Sequence, residues 1–190
     1  MFVVACAAVL GFVQPSTPEA FRQYLVGEWK LNKRLHFKSG GISGKFEGQA
    51  TFRLLDPFTK SLLAYNESGA FAPTSSSFEA RETRNRLLYD FGGDEAFGSS
   101  SVSVLYDALD DEQRGSTEKI VAAARPLYAL TTRGPGLLAI TDEALADGRD
   151  EYRGEIEVQA PNAFLSTWYV SGPQQDGEIL SLFRRVVPEA

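Results

Sequence analysis

Two charged residues, Lys33 and Glu67, occupy positions where the residue pattern predicts side chains that face an apolar interior. Glu67 alternates along its predicted strand with Leu63, Tyr65 and Phe71. Lys33 alternates in the same way with four apolar residues: Trp29, Leu31, Leu35 and Phe37. Because a buried charge is costly unless it is paired, we predict a Lys33–Glu67 ion pair inside the fold. The hydroxyl of Tyr65 or Tyr106 is expected to add a hydrogen bond.

Such an ion pair permits two kinds of chemistry. It can orient a bound molecule, or Glu67 can act as a general acid or base. Asp150 is the second candidate for a catalytic proton carrier. The alternatives without function are a structural ion pair, or charged groups at a mouth that is open to water. The predicted ligand-binding residues are Lys33, Tyr65, Glu67, Tyr106, Tyr152 and Trp168.

The elements that must position these residues are mainly β-strands. Pro18 precedes a short helical pattern over residues 19–26, and after Gly27 the apolar period changes from that of a helix to that of a strand. Turn residues then separate about nine alternating segments. These predicted strands are 29–38, 46–54, 63–71, 78–91, 102–106, 127–132, 152–158, 164–171 and 178–187.

Two segments depart from this alternation. Phe78 has the opposite parity to Leu87 and Tyr89, which predicts a β-bulge near Asn85. Residues 109–125 are interpreted as an insertion that consists of a polar loop and a short capped helix.

Consecutive strands joined by short turns favour an up-and-down meander, and closing the meander into a barrel removes its exposed edges. The predicted fold class is therefore all-β. We expect a closed antiparallel barrel of about nine strands with a short N-terminal helix and one short inserted helix. A β-sandwich is the alternative. A barrel of about eight strands is just wide enough for side chains or one small ligand.

The composition argues against several classes of function. The net charge is −6, and acidic and basic residues are interleaved, so no nucleic-acid surface is predicted. The single histidine, His36, alternates outward with Arg34 and Lys38, which disfavours haem ligation or a metal site. The single cysteine, Cys6, cannot form an internal disulfide. With no phosphate-binding loop and no Ser/His/Asp set, neither a metal nor a cofactor is predicted.

The N-terminal segment is treated separately because residues 2–13 are almost wholly apolar. They are too few to cross a bilayer, so no integral membrane span is predicted. They resemble the apolar part of a secretory signal peptide, and the Gly11-Phe12 junction resembles the cleavage site of some algal plastid leaders. We expect residues 1–16 to be a targeting leader, a disordered terminus or a packed helix, and residues 17–190 to form the barrel domain. A leader implies a secretory or plastid location, and its absence a cytoplasmic one.

The Gly27-x-Trp29 sequence on the first strand after a short helix resembles the entry signature of the lipocalins. In that family the tryptophan plugs the closed end of the barrel, and an arginine of the last strand covers it. The resemblance assigns these barrel-closing roles to Trp29 and to Arg184 or Arg185. Because neighbouring strand residues point to opposite faces, only one of the two arginines can take the role.

A more specific resemblance is carried by segments spread over residues 21–187: GEWKL at 27–31, FEGQATF at 46–52, YNESG at 65–69, YRG at 152–154 and WYVSGP at 168–173. Together they resemble the lipocalin-like family called domain of unknown function 6314, which implies a barrel but no assigned reaction. That family's pattern includes a histidine and a cysteine before the Asp-x-Tyr-x-Gly element, where this chain has ALADGR at 144–149. The resemblance therefore implies a divergent member without any chemistry of that His/Cys element.

Three functions remain open on the sequence alone. The first is binding of a small apolar or aromatic molecule, such as a pigment or lipid, oriented by Lys33, Tyr65 and Glu67. The second is an isomerase- or lyase-type enzyme that acts on a pigment or lipid, with Glu67 or Asp150 as proton carrier. The third is a non-catalytic assembly subunit with a filled barrel and a protein partner. A cavity of roughly 300–1,000 Å³ would argue against the third.

Overall fold

The computed structural model describes residues 11–55, 61–75, 79–92, 101–109, 116–140, 145–147 and 150–187, with the backbone alone for 145–147. Over these residues the chain forms two helices and eleven strands. The helices are α1 (Pro18–Leu25) and α2 (Thr117–Ala123). The strands are β1 (Gly27–Ser39), β2 (Gly44–Leu54), β3 (Leu62–Pro73), β4 (Arg81–Asp90), β5 (Ser101–Tyr106), β6 (Arg125–Thr132), β7 (Leu137–Ile140), β8 (Leu145–Asp147), β9 (Asp150–Ala160), β10 (Ala163–Ser171) and β11 (Asp176–Arg185).

Ten of the strands described form a closed antiparallel barrel. Strands β1 to β7 each pair with their sequence neighbours, β7 pairs with β9, and the ring closes through β9, β10, β11 and β1. Strand β8 pairs with β9 beyond the end of β7. The predicted closed all-β barrel is confirmed, and the alternative sandwich is wrong. The strand count exceeds the predicted nine because β7 and β8 have only four and three residues, too few to show alternation.

Helix α1 packs against one end of the barrel, which we call the closed end. The Thr17 side chain accepts a hydrogen bond from the Ala20 N–H at 3.2 Å, and Pro18 occupies the first turn. Phe21 and Leu25 are fully buried. The helix therefore attaches through its apolar face, as its residue spacing predicts.

Helix α2 lies on the outside of the barrel wall. The Ser116 side chain caps its N-terminus by accepting a hydrogen bond from the Lys119 N–H at 3.4 Å. Ile120 packs with Ala64 and Leu88, which belong to a small cluster separate from the main core. The short inserted helix is confirmed, and the loop predicted at 110–115 lies outside the described residues.

Strand β4 is continuous at Asn85. Its ladder with β3 runs without a register shift from end to end, and Asn85 lies directly opposite Glu67. The predicted bulge near Asn85 is therefore wrong. Strand β4 begins only at Arg81, so the residues before it do not follow its alternation and their parity does not indicate a bulge. Phe78 lies outside the described residues.

Candidate functional site: an ion pair in an aromatic cavity

A cavity of about 370 Å³ lies inside the barrel. Side chains from every barrel strand except β7 contribute to its described wall. Aromatic rings dominate that wall: Phe52, Tyr65, Tyr89, Tyr106, Tyr128, Tyr152, Phe164, Trp168 and Phe183. The volume falls within the roughly 300–1,000 Å³ that is usual for ligand pockets. The barrel interior therefore has room for a small molecule.

The cavity wall holds an ion pair between β1 and β3. The Lys33 Nζ lies 2.5 Å from Oε1 and 2.6 Å from Oε2 of Glu67. The side chains of Lys33 and Glu67 are 18% and 7% exposed. The structure thus brings together the two charged residues that the alternation places on the inner face.

The Lys33 side chain reaches across β2 to Glu67 on β3. Lys33 pairs across the sheet with Phe46, and Glu67 pairs with Ala50, so Gly48 lies between these two levels on β2. The Lys33 Nζ lies 5.2 Å from the centre of the Phe46 ring. This geometry allows a cation–π contact in addition to the ion pair. The lysine side chain therefore runs diagonally across β2 rather than out toward the mouth.

Tyr65 completes the polar group. Its hydroxyl donates a hydrogen bond to Glu67 Oε2, and its side chain is 4% exposed. Burial, followed by the nearby Glu67 carboxylate, raises the pKa of the Tyr65 phenol well above its usual value. The phenol therefore remains a hydrogen-bond donor at neutral pH, and Glu67 accepts hydrogen bonds from both Lys33 and Tyr65.

Trp168 lies against another part of the wall, on β10. Its ring forms an edge-to-face pair with Tyr128 at a centroid distance of 4.8 Å. Gly154 is its cross-strand partner on β9, and a Cβ at Gly154 would lie 2.7 Å from the indole ring. The glycine therefore allows the indole to lie close to the backbone of β9. Tyr152, two residues before Gly154, also lines the cavity.

Several lining residues were missed by the sequence analysis. Tyr89 and Tyr128 are joined by a hydrogen bond between their hydroxyl groups, and burial raises the pKa of both phenols. Strand parity could have identified Tyr89, which alternates with Leu87. Polar residues that were also missed are Asn85, Ser166 and Ser181.

The other predicted site residues lie apart from the ion pair. Asp150 is 2% exposed, and its carboxylate accepts a hydrogen bond from the Gln174 backbone N–H at 2.9 Å. It does not belong to the described cavity wall. Tyr106 lines the cavity but is 46% exposed, which places it at the mouth. His36 is exposed on the outer face of β1.

The closed end is built around Trp29, which is fully buried and donates from Nε1 to the Leu25 carbonyl at 2.9 Å. The guanidinium of Arg185 lies over the Trp29 ring, whereas Arg184 is exposed. Gly27 has a φ of +136°, and a Cβ there would lie 2.6 Å from Arg185 Nη1. The Gly-x-Trp pattern thus has a physical basis, since glycine both adopts this backbone conformation and leaves space for the arginine.

Residues before α1 also contact the closed end. The Gln14 side chain donates to the Val158 carbonyl at 3.0 Å, and the Gly136 N–H donates to the Pro15 carbonyl at 2.6 Å. The ring of Phe12 lies 6.2 Å from that of Tyr24. Residues 1–10 lie outside the described residues.

Among the described residues, no group of three or more His, Cys, Asp or Glu side chains could hold a metal ion. None of the helices found there is long and apolar enough to cross a membrane.

Comparison with known proteins identifies both a fold relative and a family. An S-type phycobiliprotein lyase from Guillardia theta superposes with a TM-score of 0.58 at 10% identity, over 91% of this chain and 94% of that chain. A DUF3598 protein of unknown function from Nostoc punctiforme gives 0.48 at 13% identity, over 87% and 49%. At 10% identity, the likeness to the lyase shows only that the two chains share a lipocalin-like barrel fold. No curated protein matches the sequence. Residues 25–185, which include all the strands described above, match the family of unknown function DUF6314, and this chain belongs to that family.

Proposed function

We propose that this protein binds a small apolar or aromatic molecule, such as a pigment or lipid, inside its barrel. The observation that carries the proposal is the cavity of about 370 Å³ in which the Lys33–Glu67 ion pair is surrounded by aromatic rings. Ligand pockets typically combine a largely apolar wall with a few fixed polar groups. The rings would supply contact area and the polar groups would set the orientation.

Lys33 is the residue best placed to recognise a polar group on the ligand. An ammonium group has three hydrogens, and the two Glu67 oxygens account for two of them. The third can be donated to a ligand acceptor, because Lys33 lines the cavity. We assign the planar part of the ligand to the region of Trp168 and Tyr152, with Tyr106 at the mouth.

The geometry gives some support to the second function, an enzyme, and argues against the third, an assembly subunit. An enzyme of the lyase or isomerase type is supported by Glu67 and Tyr65, which could exchange protons with a bound molecule. The name of the Guillardia theta relative includes a lyase activity, but its 10% identity supports a shared fold alone. Asp150 is a weaker candidate for proton carrier because it lies outside the described cavity wall. The cavity argues against an assembly subunit with a filled barrel.

Two matched substitutions on β10 test the binding proposal. Ser166 faces the cavity, whereas the neighbouring Leu165 points to the outer face. Ser166→Phe should fill the cavity and weaken binding of the neutral fluorescent probe N-phenyl-1-naphthylamine by tenfold or more, about 1.4 kcal/mol. Leu165→Phe should leave the affinity unchanged. Equal affinities of the two variants, or no binding of the probe and of a panel of conjugated ring compounds to the unmodified protein, would contradict the proposal.

A further inference from the structure

We infer that Lys33 is a covalent capture site for aldehydes: its amine condenses with an aromatic or conjugated aldehyde in the cavity to give a protonated imine, with Glu67 as counter-ion. Lysine amines are common nucleophiles toward carbonyl groups. The Glu67 carboxylate lies close enough to take the proton that the Lys33 ammonium must lose before it attacks. The inference rests on the proposed function, because the aldehyde must first occupy the same cavity.

The surroundings of Lys33 direct its amine toward the cavity. The Glu67 carboxylate contacts Nζ through both oxygens, and the Phe46 ring lies 5.2 Å from the same atom. Lys33 nevertheless belongs to the cavity wall. A carbonyl carbon inside the barrel can therefore approach Nζ from the cavity side, with Glu67 already within proton-transfer distance.

Small side chains next to Lys33 leave room for the rest of the aldehyde. Lys33 pairs across the sheet with Ser181 on β11, and Ser181 pairs with Ser166 on β10. Both serines line the cavity. Beyond Ser166 on the same strand lies Trp168, whose indole offers a surface for a planar ring. The two small serines followed by the flat indole therefore favour a flat conjugated aldehyde over a bulky branched one.

The protons and charges of the reaction balance within this group. Glu67 takes one proton from the Lys33 ammonium, and the free amine attacks the aldehyde carbon, so that a C–N bond forms. A proton of the attacking nitrogen then moves to the oxygen, which gives a neutral carbinolamine. Glu67 then returns to the hydroxyl the proton that it took from the ammonium, so that the hydroxyl leaves as water while the C=N bond forms. One ammonium and one aldehyde become one iminium ion and one water, and Glu67 ends as the carboxylate with which it began.

The buried carboxylate explains why an imine suits this site better than acylation. An iminium ion carries the same positive charge as the ammonium it replaces, so Glu67 keeps an opposite charge beside it. An amide at Lys33 would be neutral and would leave the 7%-exposed Glu67 side chain without its counter-charge, which is costly inside a protein. Tyr65 can continue to donate to Glu67 in either case.

Reductive trapping tests the inference on the full-length protein. The protein is incubated with trans-cinnamaldehyde and sodium cyanoborohydride, which reduces an imine to a stable secondary amine, and the modified lysines are located by peptide mass spectrometry. We expect the adduct at Lys33 to exceed that at Lys30, an outward lysine of the same strand, by about tenfold or more. Lys33→Arg keeps the positive charge but removes the amine, so it should abolish this adduct. Lys30→Arg should leave it unchanged.

Cinnamyl alcohol separates failure of the inference from failure of the proposed function, because it has the same ring but no carbonyl group. Its binding is measured by displacement of N-phenyl-1-naphthylamine. If the alcohol binds but labelling is equal at Lys33 and Lys30, or survives in Lys33→Arg, covalent capture is overturned and ligand binding stands. If neither the alcohol, the aldehyde nor the probe binds, both proposals are overturned. A folded Lys33→Arg variant, judged by circular dichroism, is required for the comparison.

Discussion

The guanidinium carbon of Arg185 lies 4.2 Å from the centre of the Trp29 ring, so the last strand of the barrel covers the tryptophan of the first. The same guanidinium donates hydrogen bonds to the carbonyls of Val26, at 2.7 Å, and of Tyr24. Burial lowers the pKa of Arg185, although an arginine remains charged at neutral pH. One side chain therefore joins β11, β1 and the end of α1.

Arg185→Ala should lower the free energy of unfolding by about 2–4 kcal/mol, because it removes a cation–π contact and charged hydrogen bonds to two carbonyls. The measurement is urea denaturation followed by circular dichroism. The matched control is Arg184→Ala, which removes an exposed arginine next to it and should change stability by no more than about 0.5 kcal/mol. Equal effects of the two substitutions would show that the closed end does not depend on Arg185.

Lys33→Met should destabilise the protein by about 3–5 kcal/mol, because it leaves Glu67 charged and without its cation in the interior. The double variant Lys33→Met/Glu67→Met should recover most of this loss, since an apolar pair carries no desolvation cost. Denaturant unfolding of both variants provides the measurement. A double variant no more stable than Lys33→Met would count against the buried ion pair.

Gly154→Ala should displace the indole of Trp168, because the added Cβ would lie 2.7 Å from the ring. We expect a loss of about 1–3 kcal/mol from this overpacking, and a shift in tryptophan fluorescence. Adding Trp168→Leu should relieve the crowding, so the two substitutions together should cost less than the sum of their separate effects. Simple additivity in denaturant unfolding would contradict the contact.

Stability should fall at alkaline pH because the pKa values of Tyr65, Tyr89 and Tyr128 are raised in the folded protein, mainly by burial. Unfolded tyrosine has a pKa of about 10, so above that pH the unfolded chain loses protons that the folded chain retains. Each such tyrosine therefore lowers the free energy of unfolding by up to about 1.4 kcal/mol per pH unit above pH 10, and leaves it unaffected below.

The check on this pH dependence is denaturant unfolding at pH 9, 10 and 11 at fixed ionic strength. Tyr89→Phe should make the alkaline slope shallower, because it removes one of the phenols whose pKa is raised by burial. Tyr169→Phe, which removes a phenol that is 49% exposed, is the control and should alter the slope less. A slope that is the same in all three proteins would disprove the role of burial.

Much of the barrel could be predicted because residues of an antiparallel strand alternate between its two faces. Lys33 and Glu67 stood out as charged residues among apolar ones, and the structure places both on the inner wall. Alternation could not have assigned the faces of β6. A register shift in its pairing with β5 lets Leu127 and Tyr128, which are consecutive, both line the cavity. No count of alternating residues could reveal this.

Asp150 illustrates a second limit. It alternates with Tyr152 and Gly154 on β9, so parity alone could not separate it from the cavity wall. Its hydrogen bond goes to the backbone of Gln174, in the turn between β10 and β11. That turn is distant in sequence, and only the folded arrangement shows that Asp150 supports it.

The sequence by itself determined nine of the strands, the inward faces of those that alternate regularly and the presence of two interior charges, because a period of two assigns each side chain to a face. The tertiary structure decided that the two charges meet. Lys33 and Glu67 lie on β1 and β3, which are separated by β2, and they sit at different levels of the sheet. Only the stagger of the closed barrel brings Nζ to the carboxylate.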